Sequence, residues 1–143
     1  SSGGLNVHLE DTARFAELVR REFARKDRGD SFTQAVRAVF KPHDNQALFA
    51  AGNLAAGRPG YSYRDFWYQP NDGMGSIEAF GRFGQRIYIN PARQLVVVKL
   101  SSTPDLAPRS TSAAGPGRAY DKAMESPAAF SSMVAALLKT LPR

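Results

Sequence analysis

Cysteine is absent from this 143-residue chain, which excludes disulfides and thiolate metal sites and leaves the redox compartment open. Histidine is scarce. His8 and His43 lie far apart and lack carboxylates at ligand spacing, which argues against a metal centre. No run of about 18 apolar residues occurs, so nothing reads as a membrane-spanning helix. Ser1 to Asn6 lacks the charged and apolar regions of a signal peptide. Internal repeats are also missing.

What remains is ordinary for a globular domain: 43% hydrophobic and 22% charged residues, enough for a single core. The net charge of +6 comes mostly from arginines spread from Arg14 to Arg143. One local cluster, Arg20, Arg21, Arg25, Lys26 and Arg28, falls at the end of an expected helix, where cations complement the macrodipole. A solvated helix face accounts for it, and no helix-turn-helix, zinc-finger or RNP signature supports a nucleic-acid partner.

Phe15, Leu18, Val19 and Phe23 recur at three-to-four-residue spacing, which predicts an amphipathic helix over 9–26. His8 stands at its N-cap, with Asp11 three residues on as a variant capping box. Asp11 and Arg14 are spaced to pair on one helix face. Asp30-Ser31 starts a second helix through Phe40, stopped by Pro42, and a weaker helical stretch runs over 44–51. Residues 52–60 read as a Gly/Ala/Pro loop.

From Tyr61 the pattern changes. Residues 61–68 are aromatic-rich and predict one strand. Pro70 to Gly75 reads as a turn rich in residues that accept positive φ. Further strands are expected over 76–82, 85–90 and 94–101. Their short connections demand antiparallel neighbours. Leu95-Val96-Val97-Val98 is apolar at successive positions, so both faces of the last strand should be covered. Residues 102–117 read as a surface loop. Phe130, Met133, Val134, Leu137 and Leu138 mark a final helix over 126–140, with Ser126 as cap and Pro127 in its first turn. Helices over 9–51, strands over 61–101 and a closing helix make an α+β arrangement, an antiparallel sheet flanked by helices. A sheet of about four strands with one covered on both faces, and a start within Gly3-Gly4 beside a helix, point to further structure upstream.

Three segments carry a resemblance. Ser2-Gly3-Gly4-Leu5-Asn6-Val7-His8-Leu9-Glu10-Asp11-Thr12-Ala13-Arg14-Phe15 resembles an SGG(L/I)xxTxxDLARF stretch, with His8 in place of Thr and Thr12 in place of Leu. Gly60-Tyr61-Ser62-Tyr63-Arg64-Asp65-Phe66-Trp67 is similar to GYGYxWW. Ala79-Phe80-Gly81-Arg82-Phe83-Gly84-Gln85-Arg86-Ile87-Tyr88-Ile89-Asn90-Pro91, followed by Leu95 to Leu100, resembles AxGxxGQxIYVxP…VVVxxS. In this order, they resemble the β-lactamase and penicillin-binding-protein superfamily of serine hydrolases. The likeness is to its class C-type branch of 6-aminohexanoate-dimer hydrolases and esterases.

The resemblance implies the C-terminal portion of the β-lactamase/transpeptidase-like fold and hydrolysis of a small amide or ester through a serine acyl-enzyme, without a cofactor or metal. The family's Ser-x-x-Lys nucleophile box has no counterpart among these residues. Tyr88-Ile89-Asn90 matches the family's Tyr-x-Asn box literally, but it falls within an expected strand and reads as core. The nucleophile, base and relay are thus expected from an N-terminal portion, either of the same polypeptide or a separate chain.

Ala79-Phe80-Gly81 stands where the family has its Lys-Thr-Gly strand, which argues against a penicillin-type carboxylate site. The next residue, Arg82, would offer its main-chain N–H as an oxyanion-hole donor. Gly81 would keep a side chain from between strand and substrate. On local pattern alone, Gly81 and Gly84 read as a pair of strand-bulge glycines. Phe83, Tyr63 and Trp67 are the candidate substrate-binding residues, although strand aromatics also serve cores. Glu78 reads either as a contact for a cationic substrate or as a solvated strand-edge carboxylate. Two other functions compete with hydrolysis: a non-catalytic binding module or truncated scaffold of the same fold, and a basic nucleic-acid-binding domain.

Overall fold

The computed structural model describes residues 7–52, 55, 58–81, 84–101 and 127–141. Three helices come first: α1 (Leu9–Ala24), α2 (Ser31–Phe40) and the short α3 (Gln46–Ala50). Five strands follow: β1 (Ser62–Arg64), β2 (Trp67–Gln69), β3 (Ile77–Phe80), β4 (Arg86–Asn90) and β5 (Leu95–Lys99). The last element is α4 (Pro127–Thr140). The strands form one antiparallel sheet in the order β1-β2-β3-β4-β5.

Helix α1 buries Ala16 and Val19, with Phe23 packed alongside. Phe15 and Leu18, expected on the buried stripe, are 46% and 45% exposed, because the covered face is centred one residue further round. His8 occupies the N-cap, but its side chain makes no cap bond. The Thr12 hydroxyl instead donates to the His8 carbonyl at 3.1 Å. Asp11 and Arg14 pair at 3.2 Å, and within the basic cluster Arg20 and Arg21 are tied to Glu17, and Arg25 to Glu22 and Asp27.

The Asp30 carboxylate caps α2 by accepting from the Thr33 N–H at 3.0 Å. The buried Thr33 hydroxyl donates to Glu22 at 2.6 Å and so stitches α2 to α1. At the other end of α2, the Gln69 carboxamide donates to the carbonyls of Val39 and Lys41 at 2.7 and 2.9 Å. These bonds satisfy helix-end acceptors and dock the β1–β2 hairpin on the helical layer.

Residues 61–68 form a hairpin instead of one strand. Its register pairs Tyr63 with Tyr68 and Arg64 with Trp67, leaving a two-residue turn. Asp65 and Phe66 in that turn have φ of 49° and 69°, as a type I′ turn requires. The sheet therefore gains a fifth strand. Turn 70–75 uses positive φ at Asn71, Gly73 and Gly75, as its composition predicts.

Each face of the sheet has its own core. On one face Ile77 and Ile89, both fully buried, pack with Ala16, Val19, Val36 and Phe40, joined by Trp67, Val96 and Val98. On the other, Tyr88 packs with Phe130 and Val134 of α4, joined by Leu95, Val97 and Leu138. Strand β5 thus contributes alternate residues to both cores, as its unbroken apolar run predicts. Burial of a large aliphatic side chain stabilises by about 1.5–3 kcal/mol, so the sheet between two layers is the main source of stability. Met133 and Leu137 on α4 stay 42% and 39% exposed, so only part of its expected stripe is covered. The proposed cap at Ser126 and the loop 102–117 lie outside the described residues.

Candidate functional site

The register carries one row of side chains across the sheet face that α4 covers: Tyr63 opposite Tyr68, Tyr68 opposite Glu78, Glu78 opposite Tyr88, and Tyr88 opposite Val97. Beside it runs a second pair, Phe80 opposite Arg86. The ring of Tyr68 stacks on Phe80 at 4.0 Å and meets Tyr63 at 4.6 Å. The guanidinium of Arg58 sits 3.8 Å from the centre of the Phe80 ring, within cation–π range, and that of Arg86 sits 5.0 Å from it.

Strand β3 ends in this aromatic and cationic group. The next residue, Gly81, is exposed and lies at the mouth of the β3–β4 turn. Its N–H donates to the Gln85 carbonyl at 2.9 Å, and its carbonyl accepts from the Gly84 N–H at 3.2 Å. Gly84 has φ of 87°, so the turn's return leg depends on glycine there. A Cβ on Gly81 would come within 2.5 Å of the Gln85 side-chain oxygen. The absent side chain thus makes room for a carboxamide over the strand end.

Glu78 is not a solvated edge carboxylate. It is 4% exposed because β3 is an inner strand, flanked by β2 and β4. The Tyr61 hydroxyl donates to its Oε1 at 3.4 Å. Burial pushes the Glu78 carboxyl above the usual carboxylate range, against the pull of Arg86, Tyr61 and Arg58. Burial and the nearby carboxylate push the Tyr61 phenol up to about 12.

The sequence-derived site residues divide. Tyr63 lies on the aromatic face, near the Phe80 strand end through Tyr68. Trp67 points to the opposite face and packs into the helical core. Strand alternation separates them, so they do not share a pocket. Gly81, expected within a strand over 76–82, lies just past the end of β3 in the β3–β4 turn, and Arg82 and Phe83 lie outside the described residues. Tyr88 and Asn90 are core residues: the Tyr88 hydroxyl bonds Ser76 at 2.8 Å and accepts from Asn90 at 3.0 Å, with all three buried.

Arg58, Arg86 and Gln85 were not singled out by sequence. The alternation Ile77-Glu78-Ala79-Phe80 does put Glu78 and Phe80 on one face, and the apolar Phe80 marks that face as covered. Among the described residues no group of three or more His, Asp or Glu side chains could hold a metal, and no helix is long and apolar enough to cross a membrane.

No protein-family model matches the chain, and no curated protein matches it by sequence. A solved structure does: a protein provisionally named as a 6-aminohexanoate-dimer hydrolase from Bacillus anthracis, with a TM-score of 0.64 and 22% sequence identity. The match covers 98% of this chain and 31% of that one. The chain carries part of a β-lactamase-like fold. At this identity the likeness establishes architecture, and the chain spans about a third of the length of the structure it matches.

Proposed function

We propose that the chain is the C-terminal part of a serine hydrolase that cleaves small amides or esters through an acyl-enzyme, its nucleophile lying on a Ser-x-x-Lys segment outside these residues. In this reaction the serine oxygen bonds to the substrate carbonyl carbon, and the amine or alcohol leaves with a proton. Water then attacks the acyl-enzyme and frees the acid and the serine. The chain's share is to receive the carbonyl oxygen as it becomes an alkoxide. The main-chain N–H of Arg82 is the proposed donor, paired with the N–H of the nucleophilic serine. A fixed donor of this kind contributes about 2.7–4 kcal/mol to the transition state.

The observation that carries the reading is Gly81, exposed at the end of β3 and bonded through both main-chain groups to the β3–β4 turn. Those two bonds hold the Gly81 peptide groups, and the proposed donor is the next residue in the chain. Phe83 and Tyr63 form the proposed pocket wall, and Trp67 serves by anchoring the hairpin to the helical core.

The test is a nitrophenyl-ester assay on the full-length polypeptide that contains this chain, with the isolated chain beside it. The full-length protein should give a burst of nitrophenol and an acyl mass adduct, and the isolated chain neither. Gly81→Val should abolish the burst with modest loss of stability, since the Gln85 side chain can swing aside. A burst from the isolated chain, or full turnover in Gly81→Val, would overturn the assignment. A full-length protein without an adduct would instead fit a non-catalytic scaffold.

A further inference from the structure

His43 lies in the loop between α2 and α3 and takes no part in the site described above. Its Nδ1 is 3.1 Å from Nη1 of Arg64, the last residue of β1. A guanidinium only donates, so this contact exists only while Nδ1 carries a lone pair. The ring is therefore neutral, with its proton on Nε2. That nitrogen is buried and makes no hydrogen bond among the described residues. Protonation of the ring would set one N–H against another and one cation against another. Arg64 already has a second partner, since its Nε pairs with Asp65 at 3.3 Å.

The same loop grips the β1–β2 hairpin at two further points, and neither titrates. Asn45 donates to the Tyr63 carbonyl at 2.8 Å and accepts from the Tyr63 N–H at 3.4 Å, so its carboxamide closes the outer edge of β1. Gln69 bonds the carbonyls of Val39 and Lys41. These contacts fix the base and middle of the hairpin. Its tip, Asp65-Phe66, has positive φ at both residues, and Phe66 is 86% exposed. Trp67 anchors the return leg in the helical core, while the outgoing leg at Arg64 is tied to the loop by His43.

We infer that His43 is a proton-operated clasp: the neutral ring holds Arg64 and with it the tip of the hairpin, and the protonated ring releases both. The inference is independent of the hydrolase reading. Tyr63, the proposed pocket wall, is held by Asn45 and stays in place when the clasp opens.

The charged groups facing the ring are Arg64 from β1, Asp65 from the hairpin turn and Asp44 from the ring's own loop. Burial, then the Arg64 charge, lowers the His43 value below its ordinary 6.5, against the pull of Asp65 and Asp44. A lowered folded-state value means that the stability contributed by the neutral ring is present above pH 6.5 and is lost as pH falls through the folded value. The clasp is thus closed at neutral pH and opens in acid.

The experiment compares the full-length polypeptide at about pH 7.5 and about pH 5, on either side of the usual histidine range, with circular dichroism as the check on folding. NMR of the imidazole nitrogens reads tautomer and protonation, the His43 signals being those lost in His43→Gln. Hydrogen exchange of peptides over 61–69 reads the tip. The ring should carry its proton on Nε2 at neutral pH and titrate below 6.5. Tip exchange, corrected for the intrinsic effect of pH, should rise roughly 2- to 10-fold on acidification, as for the loss of one hydrogen bond. His43→Gln should stay closed at both pH values, because a carboxamide oxygen accepts from Arg64 without titrating. Arg64→Met should be open at both and should raise the His43 midpoint. A ring protonated on Nδ1 at neutral pH, or wild-type tip exchange that ignores pH, would overturn the clasp even if neither variant folds. So would a wild-type pH response in either folded variant. None of these readouts involves turnover, so failure of the hydrolase reading would be a separate result.

Discussion

Arg93, in the turn between β4 and β5, donates to the main-chain carbonyl of Leu138 at 2.8 Å, joining positions 45 residues apart. The same nitrogen donates to the Leu141 carbonyl, also at 2.8 Å. One side chain thus satisfies two acceptors at the C-terminal end of α4 and complements the helix dipole there.

Arg93→Met should keep the aliphatic stem and lose these bonds. Hydrogen bonds from a charged donor contribute about 1.5–3 kcal/mol, so a loss near the lower end is expected for this half-buried site. Urea unfolding gives the magnitude. Limited proteolysis should cut the end of α4 first.

Tyr88→Phe tests the buried Ser76–Tyr88–Asn90 group. Removing one hydroxyl leaves two buried polar partners short of a bond, which costs about 1–3 kcal/mol. Turnover per folded molecule of the full-length protein should stay at the wild-type level, because Tyr88 sits under α4 and not in the reaction. A selective loss of kcat with stability unchanged would contradict this placement.

Phe66→Gly should stabilise the chain. Phe66 has φ of 69° and is 86% exposed, so its side chain gains little from packing and pays the left-handed backbone cost. Glycine at that turn position should raise stability by about 0.5–1 kcal/mol, read as a higher melting temperature.

Glu17 provides an acid-side prediction. Hydrogen bonds from Arg20, then from Arg21, hold its carboxyl down to about 2. A depressed folded-state value means that the stability is present above the ordinary 4.5 and is lost as pH falls toward 2. The pairs are partly solvated, so their contribution is about 0.3–1 kcal/mol after screening. Urea unfolding of wild type and Glu17→Gln should differ at pH 7 and converge near pH 2.

The helices were legible because apolar spacing, Asp30 and Pro42 are local signals that the folded chain obeys. The turn at Asp65-Phe66 was not, because Phe in a left-handed position departs from the Asn-Gly pattern by which such turns are read. Glu78 was misread for a related reason. Its environment is set by Arg58, Arg86 and α4, which sequence spacing cannot bring together. The neighbourhood of Tyr68, Glu78, Arg86 and Tyr88 became visible only through the register of the strand pairs. As site residues, Gly81, Arg82 and Phe83 rest on resemblance to a motif.

The strand order also bears on how the chain reaches its fold. Every sheet pairing joins sequence neighbours, so each hairpin can close over a short loop at small entropic cost. The β4–β5 hairpin, with its longest run of paired residues, is the natural seed. Helix α1 must then return to β4 and β5 from far upstream, and α4 from far downstream. Docking of the two outer layers, more than sheet formation, should set the folding rate, with mutations at Arg93 slowing the second of those arrivals.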